Sequence, residues 1–204
     1  KQFLSISEVG ESLIQGTVKR LAGLCPSSKM VVVTNINHEE LVKEHVPGCK
    51  ILSEPLARNT AASIGLAAVY LAKTDPDAIM AVFPADHYVA RPEELLSKVL
   101  LAEDIAKNTD SLITIGIKPT SPNTAYGYVK RGDSLGENVY SVNRFYEKPN
   151  LERAKKYVES GDFYWNAGIF VWRPQIYLDG LKEYMTDLYT GLMKVKECIG
   201  PPQE

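Results

Sequence analysis

Apolar positions change period from one stretch of the chain to the next. Leu13, Val18 and Leu21 recur at the spacing of one helical face, whereas the β-branched run from Lys29 to Thr34 predicts a strand ended by Asn35. A helix over His38 to Glu44 and a short strand over Lys50 to Leu52 follow, and then a polar loop from Ser53 to Thr60. The Ala-rich stretch from Ala61 to Lys73 predicts a helix capped by Asn59 or Thr60, with small residues such as Gly65 letting it lie close against a sheet. Ile79 to Phe83 is continuously apolar, as in a strand covered on both faces, and stops at Pro84, Ala85, Asp86 and His87.

A helix over Pro92 to Lys107 opens with proline, carries Glu93 and Glu94 in its first turn, and presents Leu95, Val99, Ala102 and Ala106 on one side. A strand over Leu112 to Ile117 comes next. Beyond Pro119 the stretches Thr124 to Val129, Asn138 to Val142 and Arg144 to Tyr146 read as alternating strands joined by a turn region from Gly132 to Gly136. Asn150 caps a helix over Leu151 to Ser160 that Gly161 ends, and an apolar strand over Trp165 to Trp172 precedes a final helical region. Helix and strand alternating up to Ile117 predict right-handed crossovers and a mainly parallel sheet, an α/β fold with an antiparallel hairpin region inserted. In such sheets ligands sit outside the carboxyl ends of the strands.

Composition narrows the partners. With 23 basic and 25 acidic side chains among 204 residues, the net charge is −2 and no basic tract offers a phosphate-backbone footprint, which argues against nucleic acid. The longest apolar stretch, Ile64 to Ala72, falls far short of the roughly 18–20 residues of a bilayer span, so a soluble, cytoplasmic protein without a membrane partner is expected. Cys25, Cys49 and Cys198 have no CxxC spacing, which indicates neither a disulfide framework nor a zinc site.

Four polar loops carry candidate chemistry, each with a plainer alternative. Asp86, just beyond the most apolar strand, is placed to hold Mg²⁺ through oxygen, or is simply a turn-favouring aspartate. Glu54 precedes Pro55, which favours an extended backbone there. Its carboxylate can accept from two donors at once, as guanine offers at N1 and N2 and adenine does not, which would select GTP over ATP; the alternative is a solvated glutamate. Glu147 can accept from sugar hydroxyls while Lys148 reaches a phosphate, unless the two form only a surface ion pair. Asn166 offers a neutral amide to a sugar, with Gly168 permitting close backbone approach, or the pair marks a tight turn.

In this order these segments resemble the mannose-1-phosphate guanylyltransferases, or GDP-mannose pyrophosphorylases, of the sugar-nucleotidyltransferase family. The matching stretches are Lys1 to Leu4, Ser53 to Ala61, Phe83 to His87, Tyr126 to Tyr128, Glu147 to Pro149 and Trp165 to Gly168. The resemblance implies a Rossmann-like nucleotidyltransferase fold and transfer of a guanylyl group from GTP to mannose 1-phosphate, with Mg²⁺ as cofactor. Residue by residue, it implies that Lys1 touches phosphate and that Glu54, Pro55, Asn59 and Thr60 bind the nucleotide. Asp86 would bind the metal, and Gly127, Glu147, Lys148, Asn166 and Gly168 would hold the sugar phosphate. Lys1, Asp86 and Lys148 are the expected catalytic set.

The family's Gly-Gly-x-Gly-x-Arg loop should lie just before Lys1, and an aspartate that pairs with Asp86 should lie after Glu204. The chain is therefore expected to be a single catalytic domain over 1–204 truncated at both ends and not competent alone. Ala125 stands where many relatives have glycine, so either the backbone tolerates a methyl group there or the sugar-side loop is altered. Two rivals share the α/β class. One is a GT-A-type glycosyltransferase, for which Asp75-Pro76-Asp77 has the required spacing but precedes the apolar strand. The other is a non-catalytic nucleotide-sugar-binding regulator. The assembly is left open, a homodimer included.

Overall fold

Ser12 fixes the first helix: its hydroxyl accepts from the Gln15 N–H, and the Gln15 side chain returns to the Ser12 N–H at 2.8 Å, a capping box. In the computed structural model, which describes residues 1–5, 10–56 and 59–200, the elements run α1 (Leu13–Leu21), β1 (Val31–Asn35), α2 (Glu39–His45), β2 (Lys50–Glu54), α3 (Asn59–Thr74), β3 (Met80–Val82), α4 (Pro92–Asn108) and β4 (Ile113–Ile117). They continue as β5 (Tyr128–Gly136), β6 (Val139–Tyr146), α5 (Leu151–Ser160), β7 (Phe163–Trp172), α6 (Pro174–Tyr184) and α7 (Thr186–Cys198). The chain forms two compact units, Lys1–Ile113 with Val171–Glu204, and Thr114–Phe170.

In the first unit β1 and β2 pair in parallel, from Val31 opposite Lys50 to Asn35 opposite Glu54. That register corrects two expectations. Lys29 belongs to a short 3-10 turn rather than to the strand, and pairing with β1 carries β2 through Ser53 and Glu54, which the sequence places in a loop. Ile14, Val42 and Val46 form a core cluster with Phe3, Val18, Val32 and Ile51 packed against it. The small face of α3 also meets helices: a Cβ at Gly65 would lie 2.4 Å from Leu192 Cδ1 in α7 and 3.3 Å from Leu181 Cδ1 in α6. Tyr177 of α6 donates to the Ala61 carbonyl at 3.1 Å, tying α6 to the first turn of α3, and burial pushes its phenol up to about 12.

The second unit is antiparallel. β5 pairs with β6 from Tyr128 opposite Tyr146 and with β7 from Tyr128 opposite Trp165. The turn expected over Gly132 to Gly136 lies inside β5; the chain reverses at Glu137 and Asn138, with Asn138 at φ 60° and Gly136 opposite Val139. Gly132 serves close approach instead, since a Cβ there would meet Ser141 Oγ at 2.4 Å where the β5–β6 register shifts. Thr124 to Gly127 form a loop rather than strand, the Asn123 side chain accepting from the Ala125 N–H at 2.8 Å. Ala125 is not among the residues with positive φ, so its methyl group is accommodated. Asn150 caps α5 by accepting from the Arg153 N–H at 3.0 Å, and Gly161 ends it at φ 73°, as the sequence predicts. Tyr128, Ala154 and Phe163 are the core, and Tyr157 stacks on Phe163 at 4.0 Å.

Among the described residues no helix is long and apolar enough to cross a membrane. Gly65→Val places a branched side chain against the buried Leu192 and is expected to destabilise the protein by about 1–3 kcal/mol, the usual cost of overpacking, measured by denaturant unfolding. An unchanged midpoint would mean that the α3–α7 contact yields freely.

Candidate functional site

β3 ends at Val82, and the chain leaves it through Phe83 and Pro84 into the turn that carries Asp86. Two side chains one turn apart on α1 reach the carbonyls on either side of this residue. Thr17 Oγ1 donates to Ala85 at 3.5 Å, and Arg20 Nη2 donates to His87 at 3.4 Å and to Thr17 Oγ1 at 3.0 Å. The half-buried Asp86 carboxylate pairs with the Lys1 ammonium at 2.8 Å. Hydrogen bonding to Lys1 holds the Asp86 carboxyl below its ordinary range, outweighing the burial that would raise it, while burial lowers the neighbouring His87 imidazole. Both members remain solvent-accessible, with side-chain exposures of 71% for Lys1 and 32% for Asp86, so either can take up another partner.

Among the described residues no group of three or more His, Cys, Asp or Glu side chains is arranged to hold a metal ion. A single anionic, accessible carboxylate suits Mg²⁺, which dehydrates reluctantly and takes its other ligands from water and substrate phosphates rather than from a protein cage. Asp86 fits that description.

Glu54 is the last residue of β2, opposite Asn35, so it stands at the carboxyl ends of two parallel strands. Ser63, in the second turn of α3, donates its hydroxyl to Glu54 Oε2 at 2.8 Å and fixes one oxygen of the carboxylate. Pro55 carries the chain out of the strand, and Ala57 and Arg58 of the matching stretch lie outside the described residues. Asn59 begins α3 at φ 64°, and its side chain accepts from the adjacent Thr60 N–H at 2.8 Å, not from an N–H two or three residues on as a regular cap would. A cavity of about 690 Å³ in this unit, largely apolar, is lined by Thr60 and Ser63 as well as by β1, β3, Phe83 and Ala85. It thus reaches from the start of α3 to the residue before Asp86.

In the second unit the sequence-predicted residues converge. Gly127 allows close approach, since a Cβ would stand 2.7 Å from Phe145 Cζ and 3.2 Å from Glu147 Oε2 and would require those side chains to shift. The Asn166 N–H donates to the Gly127 carbonyl at 2.8 Å, joining the loop before β5 to β7. Glu147 and Lys148 form an exposed ion pair at 2.9 Å, with Lys148 at φ 42°. The Asn166 side-chain oxygen accepts from the Gly168 N–H at 3.1 Å and from Thr114 Oγ1 at 3.2 Å, and Gly168 takes φ 67°. A side chain at Gly127 would therefore displace Phe145 and Glu147, and one at Gly168 would be strained by the backbone conformation.

Sequence reasoning missed Thr17, Arg20, Ser63 and Thr114. Each is an ordinary polar residue whose partner is defined by tertiary structure; the only local signal is the Thr17 and Arg20 spacing, which sets them on one helical face. The Asp75-Pro76-Asp77 pair lies in the turn that enters β3, at the end of that strand away from Asp86.

The nucleotidyl transferase family profile matches residues 1–197. The chain is 38% identical over 209 residues to a mannose-1-phosphate guanylyltransferase of Salmonella muenchen, covering 98% of this chain and 43% of that protein. It is also 38% identical over 214 residues to a mannose-1-phosphate guanylyltransferase of Escherichia coli K12, covering 98% and 44%. The chain therefore spans less than half the length of these curated relatives. Among solved structures it is similar to a Thermus thermophilus protein described as a mannose-1-phosphate geranyltransferase, with a TM-score of 0.87 and 27% identity over 95% of this chain and 56% of that one. A Helicobacter pylori protein described as a mannose-6-phosphate isomerase gives a TM-score of 0.84 and 32% identity over 97% of this chain and 75% of that one.

Because Lys1 lowers the Asp86 carboxyl, Lys1→Met is expected to raise its midpoint toward the ordinary aspartate value, followed by NMR titration of the carboxyl carbon. The ion pair's contribution to stability is present above the unfolded-state carboxyl value and is lost as pH falls through the depressed folded value, so the variant should lose less stability than the parent on acidification. An unmoved midpoint would show that Lys1 is not the cause.

Proposed function

The chain belongs to the nucleotidyl transferase family, and on that premise we propose that it transfers a guanylyl group from GTP to mannose 1-phosphate, forming GDP-mannose and releasing pyrophosphate. The observation that carries this reading is the 38% identity, along nearly the whole chain, to proteins named for that reaction. The accessible Lys1–Asp86 pair just beyond β3 adds local support. Asp75 and Asp77, at the opposite end of β3, do not supply the metal-binding pair of a glycosyltransferase reading.

In the reaction a phosphate oxygen of the sugar phosphate attacks the α-phosphorus of GTP in line with the departing pyrophosphate, so one P–O bond forms as another breaks and no covalent enzyme intermediate is needed. Two polyanions must approach, and the protein's task is positioning and charge neutralisation. Asp86 would hold Mg²⁺, which when bound offsets charge on the phosphates. Lys1 and Lys148 each offer an ammonium to a phosphate. Glu54 accepts from guanine N1–H and the N2 amine through the oxygen that Ser63 leaves open and through remaining lone pairs on the other. Pro55, Asn59 and Thr60 shape the nucleotide side. Gly127 and Gly168 admit the sugar phosphate, and Glu147 and Asn166 bind its polar groups. A cytoplasmic location goes with substrates of this kind.

In protein carrying the glycine-rich loop ahead of Lys1, Asp86→Asn is expected to lower kcat by a factor of about 10² or more, in line with removal of a preorganised electrostatic group. Glu54→Gln should reduce the GTP-over-ATP ratio of kcat/KM without loss of folding, because the amide presents a donor where guanine needs acceptors. Retained turnover in the first variant would contradict the metal assignment, and an unchanged ratio in the second would contradict the guanine assignment.

A further inference from the structure

The Asn166 side chain is held by one end. Its Oδ1 accepts from the Gly168 backbone N–H at 3.1 Å, and because a backbone N–H can only donate, that contact identifies the oxygen end of the amide. The Thr114 hydroxyl, on β4, lies 3.2 Å from the same oxygen. Both contacts engage Oδ1, and no partner of Nδ2 is found among the described residues. The backbone of Asn166 is fixed as well, through its N–H to the Gly127 carbonyl at 2.8 Å. The result is an amide whose NH₂ group, with two donors, is the end available to a ligand.

We infer that Thr114 is a positioning residue for sugar-phosphate recognition: with Gly168 it locks the Asn166 amide so that Nδ2 donates to an oxygen of the bound sugar phosphate. The inference rests on the reading of Asn166 as a sugar-phosphate residue. Thr114 also lies 3.4 Å from the Ile169 carbonyl, a longer contact that would compete for its single proton. Without the hydroxyl the amide keeps only the Gly168 contact and turns more freely about its last torsion, so the NH₂ group is presented to the ligand for a smaller fraction of the time.

The test compares Thr114→Val, Thr114→Ser and Asn166→Asp in protein carrying the glycine-rich loop, with KM determined separately for mannose 1-phosphate and for GTP. Valine keeps the branched shape suited to a strand, and equal thermal midpoints establish that it folds. Thr114→Val is expected to raise the mannose 1-phosphate KM about three- to tenfold, the scale of one neutral hydrogen bond, with the GTP KM unchanged, and Thr114→Ser to restore the parent value. A Thr114→Val enzyme with an unaltered mannose 1-phosphate KM, while Asn166→Asp raises it, overturns the role of Thr114 and leaves the reading of Asn166 intact. If Asn166→Asp itself leaves that KM unchanged, the reading of Asn166 falls and the inference with it. Equal rises in both KM values, or no rescue by serine, would mark Thr114 as merely structural and overturn the inference.

Discussion

Two substrates that both carry phosphate repel each other, and nucleotidyl transfer between them requires that repulsion to be offset before any bond can change. In this chain the proposed offset begins with a cation and an anion already in contact, Lys1 and Asp86 at 2.8 Å. Neither is buried, so the contact contributes little to stability. Its consequence is chemical: hydrogen bonding to Lys1 holds the Asp86 carboxyl below its ordinary range, which favours the anionic form that the proposed Mg²⁺ role requires. In the proposed reaction the solvent-accessible Lys1 turns to a phosphate when one arrives.

Holding such a carboxylate in place is the work of the backbone around it. The turn after β3 is pinned from α1 by Thr17 and Arg20, which bond the carbonyls before and after Asp86 and leave its side chain to other partners. The same device recurs elsewhere. Ser63 engages one oxygen of Glu54 and leaves the other, and Thr114 with Gly168 engages the oxygen of Asn166 and leaves its nitrogen. In the last two cases a short donor orients a side chain carried by a strand, Glu54 at the end of β2 and Asn166 within β7.

Much of the fold was legible because local rules decided it. The helix from Leu151 to Ser160 is bounded by a cap and a left-handed glycine that act within a few residues, and prediction and structure agree. Where non-local pairing decides, the sequence misleads. Ser53 and Glu54 look like loop residues, yet β1 draws them into β2, and Gly132 looks like a turn, yet it makes room for Ser141 within a strand while the reversal falls at Glu137 and Asn138. The site divides along the same line. Asp86 and Glu147 announce themselves by residue type just beyond strands, whereas Asn166, expected near the head of its strand, lies within β7, and the second unit does bring Gly127, Glu147, Asn166 and Gly168 together. Thr114, 52 residues from Asn166, carries no mark of its partner until the strands are assembled.

The most direct measurement is pyrophosphate release by the full-length protein, with Mg²⁺ present, across GTP, ATP and UTP paired with mannose 1-phosphate and other hexose 1-phosphates. Release should be fastest for GTP with mannose 1-phosphate and should require both. Faster release with another nucleotide, or no release with this pair, would contradict guanylyl transfer to mannose 1-phosphate.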